Sequence, residues 1–235
     1  VATGHYVRRI EADGEQQLWT GVDKQKDQSY FLFSITAEQL QFVRFPLGNF
    51  VKNNVRTLAR YFSLDIANKP DSQDICFVPG NYRETLRNLD SSSMQKGAIV
   101  HVDGRVLGQH NGIVNFTVGQ RKGLGAWSTD PLYVVRLDAQ KNEVIVGPKS
   151  SLVRRKLRVR NLNWLPKSEI PASGLEVDVR LRSSYSRIAA TIFLEAQSSG
   201  VVILNEDHVV SPGQACVAYD NDRMLGGGWI SKSDL

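Results

Sequence analysis

One stretch of this 235-residue chain places a candidate nucleophile between two turns: Lys69-Pro70-Asp71-Ser72-Gln73-Asp74-Ile75-Cys76-Phe77-Val78-Pro79-Gly80. The residue before a proline is pushed out of the helical region, so Lys69-Pro70 ends the preceding helical segment. Pro79-Gly80 marks a second turn. Between them the apolar Ile75-Cys76-Phe77-Val78 run is too short for an ordinary helix. A thiol on a short segment between turns suits a reactive cysteine, and it equally suits a small buried hydrophobe, the commoner fate of a lone cysteine. The second cysteine, Cys216, sits inside the apolar Gly213-Gln214-Ala215-Cys216-Val217 strand and reads as packing.

Three further sets of residues can do chemistry. Gly119-Gln120-Arg121-Lys122-Gly123-Leu124-Gly125 combines glycines with adjacent cations, which suits a phosphate site as well as it suits a plain loop. It lacks the Gly-Lys-Ser/Thr ending of a Walker A loop. Lys26-Asp27-Gln28-Ser29-Tyr30 offers a cation, an anion, an amide and a hydroxyl in a row. Such a set can contact phosphate, sugar or base, and it also fits a solvated loop. Between Lys149 and Arg187 ten Lys/Arg face only Glu169, Glu176 and Asp178, a local surplus larger than the +5 of the whole chain. That cluster is either a phosphate-contacting face or a solvated one. His5, His101, His110 and His208 are scattered, with no Cys-x-x-Cys or His-Glu-x-x-His spacing, so a metal centre is not expected. No Gly-x-Ser-x-Gly is present for a hydrolytic triad.

These residues must be positioned by helices in the first ninety residues and by strands afterwards. His5 to Ile10 and Gln17 to Val22 read as strands joined by a turn at Asp13-Gly14. Thr36-Ala37-Glu38-Gln39 has a capping-box pattern that opens a short helix through about Val43. Val51, Val55, Leu58, Ala59 and Phe62 recur at helical spacing and predict an amphipathic helix from about 51 to 63. Asn81 caps a third helix with Tyr82, Leu86 and Leu89 on its apolar face. From Gly97 strands take over: a two-residue hairpin about Asp103-Gly104, a strand over Val114–Val118, and a hairpin from Tyr133–Leu137 to Val144–Val146. In the last third, Leu157/Val159 and Val177/Val179/Leu181 alternate with cations. Short strands follow near Ile188–Leu194, Val201–Leu204 and Ala215–Tyr219, with Pro-Gly and Gly-Gly-Gly turns, the pattern of a small closed barrel or sandwich.

Composition agrees with a globular protein: 41% apolar, 23% charged. Two distant cysteines argue against a disulfide scaffold and for a reducing compartment. No run of eighteen apolar residues would span a membrane, and no signal-peptide pattern opens the chain. The chain starts without Met, inside what reads as a strand, so a C-terminal portion of a longer protein is expected.

Taken together, Ala2-Thr3-Gly4-His5-Tyr6, Lys26-Asp27-Gln28-Ser29-Tyr30-Phe31-Leu32, Pro70-Asp71-Ser72-Gln73-Asp74-Ile75-Cys76-Phe77, Gly119-Gln120-Arg121-Lys122-Gly123-Leu124-Gly125, Pro212-Gly213-Gln214-Ala215 and Leu225-Gly226-Gly227-Gly228 resemble, in order, the C-terminal two-thirds of the bacterial and mitochondrial tRNA-specific 2-thiouridylases. The resemblance implies an α+β multi-domain fold. Residues 1–74 would be the C-terminal part of a PP-loop-type α/β ATP-binding domain, 75–148 a small mixed central domain, and 149–235 an antiparallel β-barrel. It implies ATP, with Mg, as the cofactor, tRNA as the substrate, and a sulfur-relay protein or cysteine desulfurase as the donor. A monomer in the cytoplasm is expected.

The activity implied is adenylation of the C2 oxygen of the wobble uridine, followed by sulfur delivery from a cysteine persulfide. Cys76 would carry that persulfide, Gly4 would lie beside the ATP site, and Lys26, Asp27, Gln28, Ser184 and Tyr185 would contact tRNA. Adenylation turns a poor leaving group into a good one, and a soft sulfur nucleophile can then attack the carbon. Asp71 and Asp74 oppose thiolate formation, so backbone N–H groups or Lys69 must stabilise the sulfur anion. The family's Ser-Gly-Gly-x-Asp-Ser loop and its second, disulfide-forming cysteine are absent from this sequence. The chain alone is therefore expected not to complete thiolation. The family's Arg-Tyr tRNA contact appears as Arg182-Ser183-Ser184-Tyr185-Ser186-Arg187, and Ala126-Trp127 stands where small residues are usual. A different class, a non-catalytic RNA-binding module, would keep the basic strands and make Cys76 dispensable.

Overall fold

The structure, a computed structural model, describes residues 1–69, 94–125, 130–196 and 198–231. The Cys76 segment and the helix expected from Asn81 lie outside the described residues. The chain divides into two units, residues 1–69 with 154–235, and residues 70–153.

The first unit is built on a closed barrel. Its strands are β7 (Val153–Trp164), β8 (Leu175–Arg180), β9 (Ile188–Ala196), β10 (Ser199–Val209), β11 (Ala215–Asp220) and β12 (Arg223–Ile230). They run β12-β11-β8-β9-β10-β7, and β7 pairs back onto β12. Inside are Leu157, Val159, Val177, Val179, Ile192, Val202, Leu204, Cys216, Ala218 and Ile230. A hairpin of β1 (Val7–Ala12) and β2 (Glu15–Thr20) extends the sheet, with β2 pairing β12 through Leu18 and Met224. Its turn is the expected Asp13-Gly14, both at positive φ (56° and 70°), which matches the twist of a tight hairpin.

A second core explains the unbroken apolar character of β11. Ala215, Val217 and Tyr219 pack with Val7, Leu18, Tyr30, Phe33, Leu40 and Phe45, while Cys216 and Ala218 face the barrel. A strand buried on both faces has no polar side to alternate with. Leu40 comes from α1 (Ala37–Phe42), whose capping box forms as expected between Thr36 and Gln39. Residues 1–3 pair in parallel with the segment after α1, through an Ala2–Arg44 bridge. Helix α2 (Lys52–Tyr61) also forms, but it buries none of its residues.

The Gly226-Gly227-Gly228 run is not a turn. It lies within β12, where chains approach too closely for a side chain: a Cβ on Gly226 would stand 2.1 Å from the Asn163 carbonyl oxygen, and one on Gly227 2.7 Å from that of Cys216. The reversal occurs instead at Asn221-Asp222, with Asn221 at φ 49°.

The second unit is a four-stranded sheet in the order β4-β3-β6-β5. Hairpin β3 (Lys96–His101)/β4 (Val106–Asn111) joins hairpin β5 (Tyr133–Asp138)/β6 (Glu143–Gly147) through a parallel β3–β6 pairing. Ile99, Leu124, Val134, Val144 and Val146 form its core. The turn after β3 takes three residues, Val102 to Gly104, rather than two. The His101 N–H donates to the Arg105 carbonyl (2.8 Å), and Gly104 sits at φ 93° as the bulge of a longer loop. The strand expected over Val114–Val118 is absent; Ile113–Asn115 is a 3-10 turn, held by the Asn115 side-chain amide donating to the carbonyls of Asn111 and Gly112. Among the described residues no helix is long and apolar enough to cross a membrane.

Candidate functional site

The Lys26–Ser29 segment is shaped by its own side chains. The Asp27 carboxylate accepts from the Gly21 N–H (3.1 Å), the Ser29 N–H (3.2 Å) and the Ser29 hydroxyl (2.8 Å). An Asp that captures N–H groups two residues on is a typical turn former. Its side chain is only 3% exposed, and Arg180 of β8, itself 17% exposed, supplies the countercharge at 3.4 Å. Gln28 is tied at its amide oxygen, which accepts from the Tyr6 N–H (2.9 Å). Lys26 is the exposed member of the three. Asp27 and Gln28 thus spend their acceptors holding the loop, and Lys26 is the residue best placed to meet a partner.

Tyr219 is the node beneath this loop. The Ser29 and Tyr219 hydroxyls lie 3.1 Å apart. The guanidinium groups of Arg180 and Arg187 lie over the Tyr219 ring, at 5.6 and 4.0 Å from its centroid. Burial pushes the phenol up to about 12, so it stays neutral and keeps its proton for hydrogen bonding. Its members come from segments remote in the chain, so an Asp in a polar loop and an Arg on an alternating strand are the one hint of this cluster in the sequence.

Arg187 also anchors the loop that carries Ser184 and Tyr185, donating to the Asn221 carbonyl. At the other end of that loop Arg182 donates to the buried Ser211 hydroxyl and lies over the Tyr185 ring at 5.3 Å. Tyr185 is half-buried and Ser184 exposed. They line a cleft of about 460 Å³ with Ser186, Arg187, Glu206 and His208. Both Glu206 and His208 sit at the end of β10; in the sequence Glu206 belongs to no motif and His208 is only one of four scattered histidines.

The basic strands do not form one face. Strands β7 and β8 are separated by two strands in either direction around the six-stranded ring, so their cations lie on opposite sides of the barrel. Several are also occupied: Arg158 pairs with Glu195 through two bonds of 2.8 and 3.0 Å, Arg155 donates to the Leu204 carbonyl, and Arg180 serves Asp27. The alternation that suggested a common surface could not report this closure.

In the second unit, Gln120 organises the Gly119–Gly125 loop. Its amide accepts from the Thr117 N–H (3.0 Å) and donates to the Lys122 carbonyl (2.8 Å). Leu124 anchors it in the core, while Arg121 and Lys122 are exposed. Gly4 is exposed, and a Cβ there would meet only Leu47, at 3.7 Å. A side chain would fit there, so packing alone does not demand the glycine. Cys216 is 3% exposed with its thiol pushed up to about 12 by burial, so it stays protonated and unreactive.

Three family models match the chain almost end to end: a tRNA methyl transferase HUP domain over residues 1–80, a tRNA methyl transferase PRC-barrel domain over 87–148, and an aminomethyltransferase beta-barrel domain over 154–230. The chain is 65% identical over 231 residues to the tRNA-specific 2-thiouridylase MnmA of Anaplasma marginale (strain St. Maries), covering 98% of this chain and 60% of that protein. The chain belongs to the tRNA-specific 2-thiouridylase family. Thiouridylases of the same name from Wolbachia sp. subsp. Brugia malayi (strain TRS) and Ehrlichia ruminantium (strain Gardel) are 59% and 54% identical, over 97% and 98% of this chain and 61% and 62% of their own lengths. The chain therefore spans about three-fifths of the curated thiouridylases it matches. The HUP description fits nucleotide binding in the first matched segment. The last match coincides with the closed barrel that holds Tyr185.

Proposed function

We propose that this chain is the sulfur-delivering and tRNA-gripping part of a tRNA 2-thiouridylase. The observation that carries the reading is the 65% identity to a named thiouridylase over nearly the whole chain. It is supported by the Asp71-Ser72-Gln73-Asp74-Ile75-Cys76 string standing in family order among five other motifs.

In this reading Cys76 receives sulfur as a persulfide from a relay protein or cysteine desulfurase. Its terminal sulfur would attack C2 of the wobble uridine and displace the activated oxygen. A second thiol, not supplied by this sequence, would attack the Cys76 Sγ, so that the S–S bond breaks, a disulfide forms and the electron pair stays with the sulfur on the base. ATP, with Mg, would border Gly4, and the chemistry it would supply is to convert the C2 oxygen into a leaving group. The chain's other residues hold the substrate. Lys26 offers a cation to the tRNA backbone from a loop fixed by Asp27 and Gln28. Gln28 contributes through the amide nitrogen that the Tyr6 contact leaves over, and Tyr185 and Ser184 contact tRNA from the barrel. Asp27 acts by positioning, since its carboxylate is buried against Arg180.

The test is nucleoside analysis of tRNA treated with the full-length protein, ATP and a sulfur donor. Formation of 2-thiouridine that disappears with Cys76→Ser supports the reading. Tight tRNA binding without any thiolation, unchanged by that substitution, would favour a non-catalytic RNA-binding module instead.

A further inference from the structure

The cleft beside Tyr185 has a chemistry more specific than a backbone grip. Along β10, Val202 and Leu204 are buried in the barrel, and the same alternation continues to Glu206 and His208, which are exposed and half-buried. The inward-facing row thus leaves the core at the barrel mouth, a common place for ligand sites. Facing it is the loop of Ser184 to Arg187, and the cleft between them measures about 460 Å³. That volume lies within the roughly 300–1,000 Å³ of small-molecule sites.

Its groups are of different kinds. Tyr185 is held by the Arg182 guanidinium over its ring and by its own N–H donating to the Arg182 carbonyl (3.1 Å), which makes a fixed stacking surface. The side chains of Glu206 and His208 have no hydrogen-bond or ion-pair partner among the described residues. Arg187, which also lines the cleft, is committed to the Asn221 carbonyl and the Tyr219 ring, so the Glu206 carboxylate is left to repel a phosphate and the cleft is unsuited to the nucleic-acid backbone. A base edge with donors suits it. Proteins read single-stranded RNA by stacking a splayed base on an aromatic ring and bonding its Watson–Crick edge. Of the four bases only guanine presents two adjacent donors, N1–H and the 2-amino group, to the two oxygens of one carboxylate. The neighbouring O6 is an acceptor, which an imidazole N–H can serve.

We propose that this cleft takes one unpaired RNA base and favours guanine, with Tyr185 as the stacking surface, Glu206 reading the N1–H and 2-amino edge, and His208 completing it at O6. The proposal rests on the reading of the chain as a tRNA-binding protein and makes Glu206 a specificity-determining residue.

The experiment titrates the isotope-labelled full chain with the trinucleotides UGU, UIU and UAU, following amide shifts, while tRNA binding is measured in parallel. Shifts should centre on residues 184–189 and 206–208. UGU should bind about ten-fold more tightly than UAU, with UIU, which lacks the 2-amino group, between them. Glu206→Gln should erase the preference, and Tyr185→Ala should weaken all three by about ten-fold. Equal binding of the three trinucleotides, shifts elsewhere, or no shifts at millimolar concentration would overturn the proposal. If the chain binds tRNA but Glu206→Gln changes nothing, the cleft assignment alone fails. If it does not bind tRNA at all, the reading beneath it fails too.

Discussion

Burial decides the chemistry of Cys216. Its thiol, raised to about 12, is protonated at every pH at which the chain would work, and a protonated thiol is a poor nucleophile. Alkylation of the native chain near pH 8 should therefore spare Cys216 and be lost in Cys76→Ser; mass spectrometry of the labelled peptides reads this directly, and rapid labelling of Cys216 would contradict it. Asp27 is a second case in which surroundings fix a role. Removing one partner of a buried pair leaves the other charge uncompensated, so Arg180→Gln should cost about 3 kcal/mol in urea unfolding. A loss within a few tenths of a kilocalorie would mean that the Gly21 and Ser29 bonds hold Asp27 without it. At this scale the sequence was informative about identity and poor about role: Lys26, Asp27 and Gln28 were legible as a set, but only the structure separates the exposed cation from the two residues that hold it.

Strand β12 shows how an element can be legible and its details not. The expected barrel is present, because alternating apolar positions on β7 and β8 demand an interior. In sequence the glycine triplet reads as a turn, because glycine serves turns and close backbone approaches alike. Gly226→Ala would drive a methyl group into the Asn163 carbonyl, at the seam where β12 meets β7. It should destabilise the chain by about 1–3 kcal/mol, as overpacking does, visible as a lowered melting temperature. An unchanged melting temperature would show that the seam has slack. The three-residue turn at Val102–Gly104 and the missing strand at Val114–Val118 share another cause. Both depend on which backbone groups a neighbouring side chain captures, Asp103 and Asn115 here, and periodicity does not encode that.

For the whole molecule the governing fact is that cations close in sequence are dispersed by topology. A basic stretch from 149 to 187 looks like one polyanion surface on paper, and closure of the barrel sends its two main strands to opposite sides. On the proposed reading, a tRNA grip would depend on a few cations presented from shaped loops. Lys26→Glu should weaken tRNA binding and lower the slope of log affinity against log salt by about one, the signature of a lost phosphate contact. Arg158→Gln should leave both unchanged, because Arg158 is engaged with Glu195. The reverse ranking would return the β7 face to the binding surface. The most direct test of the central claim is the appearance of 2-thiouridine in tRNA exposed to the full-length protein, ATP and a persulfide source. The account predicts that the modified nucleoside forms and that Cys76→Ser abolishes it while Cys216→Ala does not. Undiminished 2-thiouridine from the Cys76→Ser protein would contradict it.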